Sequence, residues 1–247
     1  MSLVRLHDLT LGYERRPAVH HLDGAFDEAR VTAVVGPNGS GKSTLLKGLA
    51  GALAPRSGRV DRSGLKPNQI AYLPQDHGVD RDFPMTIGEL VGLGLWGRRG
   101  LFGAVTHQDR HRIEDAMSAV GLSGFEDRAL GSVSGGQLQR ALFARVLVQD
   151  ARLILLDEPF TALDARTTDD LIALVKRWPS EGRTVVMVLH DLDMVRDTCA
   201  DTLLLAREKV SWAPTEQALA PENLLTARRL SEAWSDGAGI CHRDHAA

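Results

Sequence analysis

Apolar and β-branched residues cluster at Leu3–Leu11, Val19–Phe26 and Val31–Val35, with breaks at Gly12-Tyr13 and Asp27-Glu28, and this pattern predicts three early strands. Strands this close in sequence are expected to pair antiparallel. A glycine-rich turn follows Val35, and Lys42–Ala50 then places Leu45, Leu46 and Leu49 on one helical face before stopping at Gly51. The later runs Leu153–Leu156, Thr184–Leu189 and Thr202–Leu205 hardly alternate, as expected of parallel strands covered on both faces. The pattern predicts an α/β core with an antiparallel addition.

The stretch from about residue 77 to 149 reads differently. Gly92–Gly103, rich in Gly and Arg, is expected to be a loop. Thr106-x-x-Asp109 has the form of a capping box; Ile113, Ala116, Met117 and Val120 share a helical face behind it, and Gly121 ends the run. The whole stretch reads as a mostly helical insertion in the α/β core. A loosely ordered tail is expected after Ser235.

Composition narrows the classes. The 247 residues are 43% hydrophobic and 25% charged, which excludes disordered, collagen-like and disulfide-scaffold chains. A net charge of −3 offers no basic field for nucleic acid, so no nucleic-acid partner is expected. Cys199 and Cys241, far apart, suit a reducing compartment. The first residues meet charge before an apolar signal segment can form, and the apolar runs are strand-length, far below the ~20 residues of a membrane helix. If the protein acts at a membrane, another chain spans it.

Gly36-Pro37-Asn38-Gly39-Ser40-Gly41-Lys42-Ser43 fits G-x-x-x-x-G-K-[ST] between an apolar strand and a helix, and Thr44 continues it. Glycines let the backbone wrap a polyphosphate with successive N–H groups and a helix N-terminus. Lys42 is expected to reach the β- and γ-phosphates, and the Ser43 hydroxyl to ligate Mg²⁺. Leu153–Leu156 leads into Asp157-Glu158, with Pro159 barring continuation of the strand. Asp157 would hold the Mg²⁺ shell, while Glu158 would orient or deprotonate a water attacking the γ-phosphate. Ser134-Gly135-Gly136-Gln137 reads as a capping box whose glycines leave N–H groups open to an anion; Leu138, Ala141 and Leu142 follow on the helix.

With these motifs the chain resembles the ATP-binding-cassette ATPases over nearly its whole length. Ser134–Gln137 is similar to the family's signature motif, although Val133 stands where leucine is usual and Leu138 where a polar residue is common. By the same resemblance Gln75, in Tyr72-Leu-Pro-Gln75, corresponds to the Q-loop glutamine that touches Mg²⁺ or the lytic water. Ala162-Leu163-Asp164 resembles the D-loop, His190 the switch histidine at the γ-phosphate, and Tyr13 the aromatic that stacks on adenine. The resemblance implies a P-loop NTPase (RecA-like) core with an antiparallel β subdomain and an inserted helical subdomain. It implies one domain, with residues 1–76 and 146–212 as nucleotide-binding core, 77–145 as helical subdomain, and 213–247 as C-terminal helix and flexible tail. It further implies Mg²⁺-ATP as cofactor and substrate, and a head-to-tail homodimer in which each P-loop faces the other copy's signature motif.

Val79-Asp-Arg-Asp-Phe83-Pro-Met-Thr-Ile87, Arg98-Arg-Gly-Leu-Phe102 and Asp157-Glu-Pro-Phe160 resemble the zinc, manganese and iron importer ATPases. This implies an ATPase subunit at the cytoplasmic face of the membrane. It would be bound to a permease through the region after Gln75 and served indirectly by a metal-binding extracytoplasmic protein. Phe83, Met85 and Ile87 equally suit a core. Three alternatives stand beside this reading: an importer for iron–siderophore, haem or another solute; a soluble, non-transport cassette ATPase; and a P-loop kinase or GTPase. His107 and His111, and Cys241, His242 and His245, have metal-binding chemistry but no closed ligand spacing, which favours a solvated helix face and a free tail.

Overall fold

The computed structural model describes residues 1–13, 16–75, 78–99 and 105–235. In chain order the elements are β1 (Ser2–Tyr13), β2 (Arg16–Asp27), β3 (Val31–Val35), α1 (Lys42–Ala50), β4 (Ser57–Asp61), β5 (Ile70–Leu73), α2 (Ile87–Gly92), α3 (Trp96–Arg99) and α4 (His107–Ala119). They continue with α5 (Gly135–Gln149), β6 (Leu153–Asp157), α6 (Ala165–Arg177), β7 (Thr184–Val188), α7 (Leu192–Thr198), β8 (Asp201–Ala206), β9 (Glu208–Pro214), α8 (Thr215–Ala218) and α9 (Pro221–Ser235). They fall into two compact units, Met1–Gly64 with the chain from Val186 onward, and Leu65–Val185.

In the first unit β1 is the centre of a three-stranded antiparallel sheet of order β2-β1-β4. Its Leu6, Leu9 and Leu11 are buried together with Val19, Leu22 and Phe26 of β2. The expectation that β3 would join this antiparallel set is corrected. β3 pairs in parallel with β8, from Thr32↔Asp201 to Val35↔Leu204. The reason is burial: all five β3 side chains are buried, which requires cover on both faces, as parallel strands obtain. The pattern also missed β9, whose residues are mostly half-buried and carry no clear alternation. β9 pairs antiparallel with β8, and its Trp212 packs on Phe26 at 4.7 Å between ring centroids.

In the second unit β5 and β6 pair in parallel, from Ile70↔Leu153 to Leu73↔Leu156. Phe143 of α5 stacks on Trp178 at 5.7 Å and 16°. The predicted α4 forms as expected: the Thr106 hydroxyl accepts from Asp109 N, and Ala116, Met117 and Val120 are buried. The expected Gly92–Gly103 loop is corrected as far as Arg99, where α2, a 3-10 turn at Leu93–Leu95 and α3 run on almost without a break; Gly100–Phe102 lies outside the described residues. Here glycine serves close packing rather than a turn. A Cβ on Gly94 would fall on the Arg145 carbonyl of α5, so only glycine lets the two backbones approach while Leu90, Val91 and Leu95 are buried. Of the three apolar residues after Gln75, Ile87 is core, Met85 is half-buried and Phe83 is 55% exposed.

Among the described residues no helix is long and apolar enough to cross a membrane. No group of three or more potential metal ligands occurs among them either. His107 and His111 lie edge to face at 4.5 Å on α4, with His111 Nδ1 3.2 Å from Glu114 Oε2. Cys241, His242 and His245 lie outside the described residues.

Candidate functional site

In the first unit, Gly36–Gly41 joins β3 to α1. Gly41 holds φ 95° at the N-cap, and a Cβ there would collide with the Ala18 carbonyl of β2. At Gly36 a Cβ would fall on the Leu205 carbonyl of β8. The loop is therefore shaped by backbone laid against backbone, which only glycine permits. Ser40 O accepts from Arg207 N at 3.0 Å, which fastens the loop to the turn between β8 and β9. Lys42 is only 7% exposed, and its Nζ donates to Gly36 O at 2.9 Å and Pro37 O at 3.0 Å.

The start of α1 differs from those of α4, α5 and α6. Thr106, Ser134 and Asp164 place a side-chain oxygen on the first N–H groups of those helices, but α1 has no side-chain cap. Its leading N–H groups and positive dipole end suit a bound anion. The Ser40 hydroxyl is buried with no hydrogen-bond partner among the described residues. Tyr13, 51% exposed at the end of β1, has Lys47 Nζ of α1 5.8 Å from its ring centroid. His190 is exposed between β7 and α7, followed by Asp191, whose carboxylate accepts from Asp193 N and Met194 N.

In the second unit β6 ends at Asp157, 1% exposed, and Glu158 turns to φ 50°. A left-handed backbone at a non-glycine residue stores strain and aims the side chain away from the strand direction. Gln75 Nε2 donates to Glu158 Oε2 at 2.9 Å, so two residues 83 apart in sequence are neighbours. Asp164 is the N-cap of α6; Thr167 N donates to its Oδ1 at 2.9 Å and Thr167 Oγ1 to Oδ2 at 2.8 Å. Those bonds to Thr167, backbone first, hold its carboxyl below the usual carboxylate range. Its nearest ligand is therefore its own helix. Ser134 and Gln137 form the expected capping box, with Gln137 N to Ser134 Oγ at 3.2 Å and Ser134 N to Gln137 Oε1 at 2.8 Å.

The sequence reading missed the polar residues of α5. Gln139, buried, donates to Pro159 O at 2.8 Å, directly after Glu158. Arg145 Nη2 donates to Tyr72 O at 3.2 Å and Gln149 Nε2 to Ile70 O at 2.8 Å, along the strand that leads to Gln75. Burial lowers the Arg145 pKa, but a guanidinium bound to a carbonyl remains charged. One helix thus holds the backbone before Gln75 and directly after Glu158. The signal was present as polar residues within a helix that otherwise buries Leu138, Leu142, Phe143 and Val146.

Taken singly, the Ser43 hydroxyl and the Asp157 carboxylate are hard oxygen donors of the kind that Mg²⁺ takes.

A family profile described as ABC transporter matches residues 19–161. The manganese transport system ATP-binding protein MntA of Synechocystis is 37% identical over 85% of this chain and 83% of its own. The zinc transport system ATP-binding protein TroB of Treponema pallidum is 39% identical over 82% of this chain and 77% of its own. An inward-facing ABC transporter assigned to the metal-chelate type superposes with a TM-score of 0.81 at 28% identity, covering 93% of this chain and 90% of the other. With a glycine-shaped phosphate loop, a buried strand ending in Asp157-Glu158 and this extent of similarity, the chain belongs to the ABC transporter family, as one of its ATP-hydrolysing ATP-binding subunits.

Proposed function

We propose that the chain powers an importer of a transition metal, zinc or manganese, from the cytoplasmic face of the membrane. The observation that carries the ATPase chemistry is the uncapped start of α1 beside Lys42, whose ammonium is folded back onto Gly36 O and Pro37 O. The metal is supported by relatives named for manganese and for zinc at 37% and 39% identity.

In this reading the N–H groups of Gly39–Thr44 and the Lys42 ammonium receive the β- and γ-phosphates, and Tyr13 stacks on the adenine. When bound, Mg²⁺ neutralises charge that develops on the phosphate oxygens. Ser43 and Asp157 would hold it, with Gln75 at the edge of its shell. The Glu158 carboxylate accepts a proton from the attacking water, and the Gln75 amide, bonded to that carboxylate, aims it. His190 donates to the γ-phosphate. Ser134, Gly135, Gly136 and Gln137, together with Asp164, would meet the nucleotide of a second copy, so that ATP closes a homodimer and hydrolysis reopens it. The permease would meet the stretch after Gln75, where Phe83 is exposed and Trp96 is 66% exposed.

Glu158→Gln is expected to keep ATP binding, lower turnover by a factor of about 100 or more, and trap the dimer on size-exclusion chromatography. Near-normal hydrolysis would remove Glu158 from this role. Reconstitution with the membrane subunit, comparing stimulation by zinc-loaded and manganese-loaded binding protein, tests the cargo; if neither stimulates, the metal assignment fails and the ATPase assignment stands.

A further inference from the structure

Just ahead of α5, two segments of the second unit are laced together. Ile87 N donates to Arg128 O at 2.9 Å, Gly88 N to Glu126 O at 2.9 Å, and Leu130 N to Met85 O at 3.1 Å, while Thr86 and Ala129 form an antiparallel bridge. At the other end of the lacing stands Arg81. Its Nη1 donates to Val133 O at 3.5 Å, and its Nη2 lies 3.7 Å from where a Gly135 Cβ would be. A Cβ on Gly131 would sit 3.2 Å from the Arg81 carbonyl, so backbone and side chain of Arg81 both lie on the loop entering α5. The Val133 side chain is buried, and the next residue is Ser134. Phe83 sits between the two points of attachment and faces solvent.

A backbone ladder with several hydrogen bonds moves as one piece, but the ladder stops at Leu130, four residues short of the Ser134 turn. Past Leu130 the chain continues in its own short turns, with Ser132 N donating to Ala129 O at 3.0 Å and Val133 N to Leu130 O at 3.5 Å. Among the described residues the Arg81 guanidinium makes the hydrogen bond from the Phe83-bearing segment to Val133, and its planar fork can address two points at once, as an ammonium cannot. We propose that Arg81 is a positioning residue, tying the Phe83-bearing segment to the Ser134–Gln137 turn so that displacement of that segment by a partner is passed to the turn. This rests on the reading above in which the turn binds the nucleotide of a second copy.

The test compares the purified full-length chain with its Arg81→Ala, Arg81→Lys and Ser134→Ala variants. The readouts are ATP hydrolysis against ATP concentration, binding of a fluorescent ATP analogue to dilute chain, and thermal melting. Arg81 is exposed, so melting should be unchanged. Arg81→Ala is expected to raise the ATP concentration for half-maximal hydrolysis about five- to tenfold, with kcat and analogue Kd within about twofold. Arg81→Lys should recover no more than half of that change. The proposal is overturned by an unchanged half-saturation, by an analogue Kd that rises in step with it, or by full rescue with lysine, which would mean bare charge suffices. If Ser134→Ala leaves hydrolysis intact, the reading of the turn itself fails; if Ser134→Ala impairs hydrolysis and Arg81→Ala does not, only the tether fails.

Discussion

The helices α1 and α5 both start at glycines and in the reading proposed here both meet phosphate, yet they are built on opposite principles. α1 has no side-chain cap, and its approach loop is held by backbone pressed against backbone at Gly36 and Gly41. α5 satisfies itself: Ser134 and Gln137 bond each other's N–H groups. An anion arriving at α1 meets no side-chain cap that it must displace. An anion arriving at α5 must compete with an internal cap. The first site is thus suited to hold nucleotide in a single chain, and the second to respond only when a nucleotide is presented to it. The contrast teaches that two anion sites of the same general kind differ in conditionality according to whether the helix start is capped.

The strongest way to break this contrast is at Gly41. Gly41→Ala forces a Cβ onto the Ala18 carbonyl at a left-handed φ, and misplacing the loop by about 1 Å should lower hydrolysis by a factor of about 100 and abolish binding of a fluorescent ATP analogue. Binding that survives would show that the loop is not preshaped. At α5 the corresponding change is milder. Gly135→Ala meets nothing nearer than 3.7 Å, so melting and analogue binding should stay at the parent's values while hydrolysis falls about tenfold. Ser134→Ala removes a cap and should cost about 1 kcal/mol, a fall in Tm of roughly 2–4 °C by scanning calorimetry; an unchanged Tm would mean that the cap is not formed in solution.

The smallest effect concerns what lies behind the phosphate loop. His20 of β2 donates its N–H to Arg207 O, and Arg207 N in turn holds Ser40 O. Burial, the largest influence, lowers the His20 pKa against the opposing pull of Glu208, with His21 and Arg207 acting in the same direction as burial. A lowered folded-state pKa means that the unfolded chain binds the proton more readily. The stability contributed by neutral His20 is therefore complete above about pH 6.5 and is lost as pH falls from there through the lowered pKa. Melting of the parent should decline between pH 7.5 and 5.5 more steeply than that of His20→Gln; parallel curves would show that His20 is not neutral in the fold.

Much of the candidate site was legible because it is local. The capping boxes at Thr106 and Ser134 connect residues three apart, and the glycine-rich loop with Lys42 and Ser43 is one turn of chain, so residue type at fixed spacing states the geometry. The strand ending at Asp157-Glu158 could be read because an apolar run followed by two acids and Pro159 permits little else. The same local logic misleads at Gly92–Gly103, where glycine reads as a turn signal. Its purpose at Gly94 is contact with Arg145, 51 residues further along, and no local pattern encodes that.

By itself, the sequence determined where α1, α4 and α5 begin and that the runs forming β6, β7 and β8 are covered on both faces, and it marked the candidate phosphate residues, because those depend on neighbours within about one turn and on side-chain polarity. Only the tertiary structure decided that β3 pairs with β8, that Gln75 bonds Glu158, that α5 holds the backbone before the first and after the second, and that Arg81 reaches Val133. Each of these joins segments dozens of residues apart. Which such segments meet is chosen by the burial of the whole chain, and no spacing between neighbours can state it.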